Sequence, residues 1–218
     1  MTLIPEEHKE RVKRELGERL TNRVKVIVFT QENECAMCKE TRELIEEVKG
    51  LSDKIDVEVY DFEKDKEQVT LYKIDKVPAS VFLGEKDYGI RYYGLPFGYE
   101  FQTFLDTLMS VSSQNSGLLE ETKAKIRTID KPVRIQVFVT LTCPYCPIIA
   151  SLAHRFAMEN DLITSEIIDV NEFVQIGIKY NVLGVPKTVI NENVEFVGVV
   201  SENVLLEHIF EALRTRPS

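Results

Sequence analysis

The chain has 218 residues, of which 44% are hydrophobic and 29% charged, with a formal net charge of -9 at pH 7. This composition is that of a globular protein and excludes a disordered or fibrous chain, and the acidic excess makes nucleic acid and anionic membrane surfaces poor partners. No apolar run is long enough to span a membrane, and residues 1–8 lack the features of a signal peptide, so we expect a cytoplasmic protein.

The first half of the chain predicts a helix followed by alternating strands and helices. Apolar residues recur at helical spacing at about 5–20, and Val and Ile dominate 24–29, which is typical of a buried strand. A helix should open at Cys35-Ala-Met-Cys38, because the apolar residues after it keep to one face. The other predicted elements are strands at 55–60, 79–83 and 89–93 and helices at 64–73 and 97–109.

The second half repeats this pattern at a nearly constant offset. Cys143 follows Cys35 by 108 residues, and the same offset takes Asp61 to Asp169, each at a strand end where we expect it to cap the next helix. A repeat in register over this length fixes the architecture before any motif is interpreted. The elements predicted here are strands at 133–138, 163–168, 187–190 and 194–197 and helices at 117–129, 171–180 and 201–214, with another helix opening at Cys143.

A polar, turn-rich stretch at 110–117 separates the two repeats. We therefore predict two domains, residues 1–113 and residues 114–218. After its first helix, each has the order β-α-β-α-β-β-α with a cysteine pair at the first core helix, which is the order of the thioredoxin fold. The predicted fold class is α/β, with two tandem thioredoxin-like domains that each have a central mixed β-sheet flanked by helices.

The four cysteines of the chain form two Cys-x-x-Cys pairs. Residues three apart on a helix lie about 5–6 Å apart, within reach of a disulfide. The unpaired N–H groups and the dipole at a helix N-terminus favour a thiolate. We therefore predict Cys35 and Cys143 as the nucleophiles of disulfide exchange, and Cys38 and Cys146 as the thiols that resolve the mixed disulfide.

Two other uses of these cysteines stay open. Two pairs can supply four thiolates to one structural zinc ion, although the 104 residues between the pairs exceed the usual separation of about 12–20. Structural disulfides are the second alternative. We predict no metal site, and we predict no bound nicotinamide or flavin because no Gly-x-Gly-x-x-Gly fingerprint occurs.

The second motif identifies a family. Cys143, Pro144, Tyr145 and Cys146 match the glutaredoxin-type motif residue for residue. With its two cysteine pairs in register, the sequence resembles the thioredoxin superfamily over nearly its whole length. Within it, the chain is similar to the two-domain, glutaredoxin-like protein disulfide oxidoreductases of hyperthermophiles.

The resemblance also assigns a role to the two Val-Pro pairs. Val77-Pro78 and Val185-Pro186 fall where the family has its cis-proline, whose loop faces the cysteines. It implies that both loops bind substrate. An ordinary trans proline that opens a strand is the alternative for each.

The resemblance implies a cytoplasmic enzyme of a thermophile that reduces, forms or isomerises disulfides in substrate proteins. Its redox-active disulfides would receive electrons from an external reductase, a thioredoxin-reductase-like flavoprotein. The strands before the two sites, 24–29 and 133–138, contain no acid, so the sequence predicts no acceptor for the proton of the resolving thiol.

Two rival functions stay open. A dedicated electron carrier to a peroxiredoxin in an alkyl hydroperoxide reductase system can use the same tandem fold. A non-catalytic binding or chaperone domain can use the fold as a scaffold.

Overall fold

The two halves of the chain contribute four strands each to one mixed β-sheet, in a computed structural model that describes residues 2–214. The strand order across the sheet is β2-β1-β3-β4-β6-β5-β7-β8. This architecture confirms the predicted α/β class with two thioredoxin-like repeats. The strands are β1 (Val24–Thr30), β2 (Ile55–Asp61), β3 (Ala79–Leu83), β4 (Asp87–Tyr93), β5 (Val133–Val139), β6 (Ile163–Asp169), β7 (Lys187–Ile190) and β8 (Val194–Val197).

The two repeats join along the pair of strands β4 and β6. These strands pair in parallel, from Ile90 opposite Ser165 to Tyr93 opposite Ile168. Gly89 lies at the start of this seam with a φ of +73°, and a Cβ at this position would lie 2.9 Å from the carbonyl oxygen of Ile163. Because only glycine tolerates both the left-handed conformation and the close approach, Gly89 lets the two repeats share one sheet.

The strand directions bring both cysteine pairs to the same edge of the sheet. β1 runs parallel to β2, and β3 runs antiparallel to both β1 and β4, so β4 has the direction of β1. β4, β6 and β5 are in turn parallel to one another. The chain segments that leave β1 and β5 toward the cysteines therefore lie at one edge, with the carboxyl ends of β4 and β6 between them.

Helices cover both faces of the sheet. The larger hydrophobic core lies under Val26 and Val28, while Ile27 and Phe29 face a smaller core on the other side, as the period-two alternation of a strand requires. The larger core includes residues of both repeats. The helices are α1 (Glu6–Arg19), α2 (Cys38–Lys49), α3 (Lys66–Leu71), α4 (Glu100–Ser113), α5 (Glu120–Ile126), α6 (Cys146–Ala157), α7 (Val174–Lys179) and α8 (Glu202–Arg214).

The expected helix caps are wrong. Oδ1 of Asp61 accepts hydrogen bonds of 2.9 Å from the N–H groups of Glu63 and Lys64, before α3 begins. Oδ1 of Asp169 likewise accepts from the N–H of Asn171 at 2.9 Å, ahead of α7. In both repeats a turn separates strand from helix, so the carboxylate stabilises the turn and not the helix end.

We keep residues 113 and 114 as the proposed domain boundary. α4 ends at Ser113, and Gln114 follows with a φ of 54°, a left-handed conformation that ends a helix. The outer ends of the two proposed domains, residue 1 and residues 215–218, lie outside the described residues.

Candidate active site

Each cysteine pair follows the carboxyl end of a parallel strand and forms a disulfide. In both pairs the Cα atoms are 5.5 Å apart, a separation typical of disulfides. The sequence predicted that the first cysteine of each pair opens the helix, and this is wrong by three residues, since α2 begins at Cys38 and α6 at Cys146. Cys35 and Cys143 lie in the turn that redirects the chain from strand to helix.

The two cysteines of each pair differ in exposure. Cys38 and Cys146 are buried, with 3% and 0% of their surface exposed. Cys35 is half-buried, and Cys143 keeps 8% of its surface exposed. Within each disulfide, the first sulfur is therefore the one that an incoming thiolate or a substrate reaches more easily.

Backbone N–H groups point at the sulfur atoms. The N–H of Cys146, at the first residue of α6, donates to the Sγ of Cys143 at 3.2 Å. At the first site the N–H of Gln31 donates to the Sγ of Cys38 at 3.4 Å. We find no hydrogen bond to the Sγ of Cys35 in the part of the chain that the structure describes. A donor aimed at sulfur stabilises its thiolate form, so the second site is better prepared for a nucleophile.

The Val-Pro loops come directly before β3 and β7, and the second lies beside a disulfide. The Val77–Pro78 and Val185–Pro186 peptide bonds are both cis. The carbonyl oxygen of Val185 lies 3.8 Å from the Sγ of Cys143. Each loop is held by the residue that ends the following β-hairpin. The N–H of Gly94, just after β4, donates to the Pro78 carbonyl at 3.0 Å, and the N–H of Gly198, just after β8, donates to the Pro186 carbonyl at 2.8 Å.

The surroundings of the two sites differ in polarity. At the second site, Tyr145 is 65% exposed and Leu183 is 90% exposed. The repeat offset places Asp75 at the position of Leu183 in the first half, and Asp75 pairs with Lys76. The second site therefore presents an apolar side chain, Leu183, where the first presents a charge, whereas Met37, at the position of Tyr145, is also apolar and 38% exposed.

Glu100 and Glu172, which the sequence did not single out, lie between the sites together with Asp169. Glu100, at the first residue of α4, is fully buried, and Asp169 is 1% exposed. Burial raises the pKa of Glu100 to about 8 and that of Glu172 to about 7, and it also raises the pKa of Asp169. Groups with these pKa values take up or release a proton near neutral pH, which a general acid or base requires.

Helix packing sets Glu100 level with the second disulfide. The strand directions make α4 and α6 run parallel, and they are joined by a 2.9 Å hydrogen bond between Thr107 Oγ1 and His154 Nδ1. Thr107 is seven residues after Glu100, and His154 is eight residues after Cys146, so the first turns of both helices lie side by side. Spacing at i, i+3, i+4 and i+7 on α4 puts Glu100 on the buried face with Thr103, Phe104 and Thr107, which is the signal that could have found it.

Over residues 2–214, no group of three or more His, Cys, Asp and Glu side chains is arranged to hold a metal ion. Among the described helices, none is long and apolar enough to cross a bilayer.

Comparison with known proteins identifies the family. A model of the thioredoxin domain matches residues 133–211. A thioredoxin from Methanocaldococcus jannaschii is 35% identical over 82 residues, which make up 37% of this chain and 96% of that protein. The chain belongs to the thioredoxin family. The resemblance drawn from the second cysteine motif is thereby confirmed.

Other relatives match most of this thioredoxin-family chain. A protein disulfide oxidoreductase from Aeropyrum pernix is 31% identical with a TM-score of 0.90, covering 96% of this chain and 93% of that one. The alkyl hydroperoxide reductase AhpF from Escherichia coli is 26% identical over 80% of this chain, which spans only 31% of that protein. A structure of AhpF from Enterococcus faecalis, 24% identical, shares the fold with a TM-score of 0.88 over 95% of this chain and 100% of that one.

Proposed function

We propose that this thioredoxin-family chain is a protein thiol–disulfide oxidoreductase that reduces, forms or isomerises protein disulfides by exchange at both cysteine pairs. One observation carries this function. In each pair the more accessible sulfur, in the turn, is bonded to a buried sulfur at the first residue of a helix. This arrangement provides a nucleophile for the substrate and a protected thiol that releases it.

In the reducing direction the second site transfers two electrons to a substrate disulfide. The Cys143 thiolate attacks one substrate sulfur, the substrate S–S bond breaks, and the departing thiolate takes up a proton. The Cys146 thiol then loses its proton and attacks the Cys143 sulfur, which breaks the mixed disulfide and forms the Cys143–Cys146 bond. The second substrate thiol is released, and the same steps in reverse oxidise a substrate dithiol.

Glu100 is the proton acceptor that we propose for Cys146. It is fully buried and lies at the level of Cys146 at the start of the neighbouring helix. Neither of its carboxyl oxygens has a hydrogen-bond partner among the described residues. Because its pKa is about 8, the group holds its proton over most of the neutral range and accepts the thiol proton when it is ionised, so no permanently buried charge is needed.

The two Val-Pro loops, Val77-Pro78 and Val185-Pro186, are the substrate-binding segments in this proposal. Because the Val185 carbonyl lies 3.8 Å from the Cys143 sulfur, a substrate cysteine bonded to that sulfur lies along this loop. Tyr145 and its neighbour Pro144 border the same sulfur and contribute exposed surface to a protein substrate.

We assign the electron source to a thioredoxin-reductase-like flavoprotein, since the chain carries no nucleotide-binding fingerprint of its own. The same proposal includes a cytoplasmic location in a thermophile, no further bound cofactor, and no nucleic-acid or membrane partner. The acidic net charge of -9 and the relative from Aeropyrum pernix support it.

A second candidate function is electron transfer to a peroxiredoxin. It is favoured by the likeness to the alkyl hydroperoxide reductase AhpF over 80% of this chain. With NADPH, a thioredoxin-reductase-like flavoprotein and a peroxiredoxin, the chain should then support peroxide consumption. Unchanged NADPH oxidation on addition of the peroxiredoxin and peroxide would exclude this role.

Insulin reduction by dithiothreitol tests the main proposal. We expect the wild-type chain to accelerate the precipitation of insulin chains and a variant with all four cysteines changed to Ser to be inactive. Circular dichroism of that variant controls for folding. If a folded wild-type chain with both disulfides intact gave no acceleration, the non-catalytic scaffold would be the better interpretation.

A further inference from the structure

A cluster of acids from both repeats lies between the two disulfides. We define the acid cluster as Glu100 from the first repeat and Asp169 and Glu172 from the second. Asp169 is the last residue of β6, Glu172 follows in the turn before α7, and Glu100 opens α4, which follows β4. Since β4 and β6 form the seam of the sheet, neither repeat contains this cluster alone.

Glu172 reaches across the seam toward the first site. Its Oε1 accepts a 2.6 Å hydrogen bond from the N–H of Leu95. A Cβ at the preceding residue, Gly94, would lie 3.1 Å from the same oxygen and 3.0 Å from the Cβ of Asp169. The N–H of Gly94 in turn donates to the Pro78 carbonyl at 3.0 Å. A carboxyl group of the second repeat is therefore connected, through two consecutive residues, to the Val-Pro loop of the first.

The cluster is also connected to the second site. Asp169 pairs in register with Val139, four residues before Cys143. The N–H of Tyr99 donates a 3.0 Å hydrogen bond to the carbonyl of Leu141, and Glu100 is the next residue. Both the strand end and the turn that carry Cys143 are thus held against the cluster.

A buried hydroxyl group on β4 is within electrostatic reach of the same acids. Tyr92 is fully buried in β4, and its Oη has no hydrogen-bond partner among the described residues. Burial, followed by the negative charges of Glu100, Asp169 and Glu172, raises the pKa of Tyr92. The unpartnered phenol lies within the electrostatic reach of all three carboxyl groups, so the seam holds one polar centre and not three separate acids.

One acid of the first repeat, Glu40, also acts on the cluster. Glu40, on α2 two residues after Cys38, raises the pKa of Glu172 through its negative charge, after burial as the larger cause. Asp169 raises the pKa of both Glu100 and Glu172. The hydrogen bond from Leu95 acts in the opposite direction on Glu172.

We propose that Glu172 is a positioning residue that makes the acid cluster a single proton store shared by both disulfide sites. This inference rests on the proposed function. When either disulfide is formed by exchange, the resolving thiol, Cys38 or Cys146, gives its proton to a carboxylate of the cluster. The proton returns when that disulfide is reduced and the resolving sulfur becomes a thiol again. Neighbouring carboxyl groups titrate as a coupled set. A proton that one disulfide site gives to the cluster therefore changes how readily the cluster accepts a proton from the other site.

Single-site chains test the coupling. One chain carries Cys143→Ser and Cys146→Ser and keeps the first site, and the other carries Cys35→Ser and Cys38→Ser and keeps the second. Glu172→Gln is introduced into each, and insulin reduction is followed between pH 5.5 and 9. We expect the pH midpoint of turnover to move in both chains, with roughly a tenfold loss of rate at pH 7. Glu43→Gln, on α2 with 37% of its side chain exposed, is the matched control and should move neither midpoint.

The outcomes separate this inference from the proposed function. A shift in only one single-site chain, or in neither, would overturn the shared store while leaving disulfide exchange intact. Single-site chains that are inactive before Glu172 is changed would instead contradict exchange at both sites. Asp169→Asn in the same chains gives the same test if Glu172→Gln fails to fold, as judged by circular dichroism.

Discussion

The backbone N–H of Cys146 donates a 3.2 Å hydrogen bond to the Sγ of Cys143, the sulfur that we propose attacks substrate. At the first site, Glu32 and Glu34 precede Cys35, and Lys64 lies 3.7 Å from the Glu32 carboxylate and offsets part of its charge. We expect the reduced protein to have a lower thiol pKa at Cys143 than at Cys35. Thiolate absorbance at 240 nm in the two single-site chains measures both values, and the reverse order would contradict this.

The second site should also be the more oxidising and the more active. A more stable thiolate favours the reduced form, and the exposed Leu183 and Tyr145 offer apolar contacts that Asp75 does not. Cys143→Ser is expected to lower insulin reduction about tenfold, equivalent to ~1.4 kcal/mol, and Cys35→Ser by less. Potentials come from equilibration of each single-site chain with glutathione buffers. Equal losses of activity would mean that the sites contribute alike.

Alkylation of the reduced protein should begin at the first cysteine of each pair. Cys38 and Cys146 are 3% and 0% exposed, whereas Cys35 and Cys143 lie in the turns before the helices. Brief iodoacetamide treatment followed by mass mapping measures the order of labelling. Earlier labelling of Cys38 or Cys146 would reverse the assigned roles.

Cys146→Ser should trap a mixed disulfide between Cys143 and a substrate protein, because the nucleophile stays and the resolving thiol is removed. Non-reducing electrophoresis after incubation with a disulfide-containing protein detects the adduct, and Cys143→Ser/Cys146→Ser is the control that should form none at this site. Cys35 and Cys38 are changed to Ser in both variants, so that no adduct can come from the first site. An adduct that accumulates equally in the control would contradict the prediction.

Glu100→Gln should stabilise the folded protein and also slow disulfide exchange. Burial raises the pKa of Glu100 from 4.5 to about 8, so between these values the unfolded chain ionises while the folded chain holds the proton. The stability of the wild type falls through this range as pH rises. At pH 7 the variant is expected to gain roughly 2–4 kcal/mol in free energy of unfolding. Urea unfolding at pH 4 and pH 7 measures this, and a gain of the same size at pH 4 would contradict it.

Much of the fold follows from local pattern. The strands β7 and β8 have the predicted bounds because Asn191 and Glu192, at φ of 49° and 63°, make the tight turn that the sequence indicates. The helices α3 and α7 are shorter than predicted, since a turn held by Asp61 or Asp169 takes up their first residues. Pattern alone does not show that the two repeats share a sheet, because that pairing joins residues far apart in the chain.

The residues of the candidate site also fall into a group that the sequence predicts and a group that it does not. Both cysteine pairs and both Val-Pro pairs stand out in the sequence, since the chemistry depends on residues that are close along the chain. Glu100 and Glu172 do not stand out, because their burial arises only when β4 meets β6. A glutamate at the start of a helix is usually solvated, and only the apolar spacing after Glu100 hints otherwise.

The pairing of β4 with β6 also determines how the two halves of the chain would behave if they were separated. Cutting between residues 113 and 114 would turn two central strands into sheet edges, each with a row of unpaired N–H and C=O groups. Exposed edges of this kind serve as templates for pairing with another chain. The separated halves would therefore be complementary to each other and prone to recombine or to aggregate. The connection through Gln114 keeps β4 next to its partner strand β6 in the same chain.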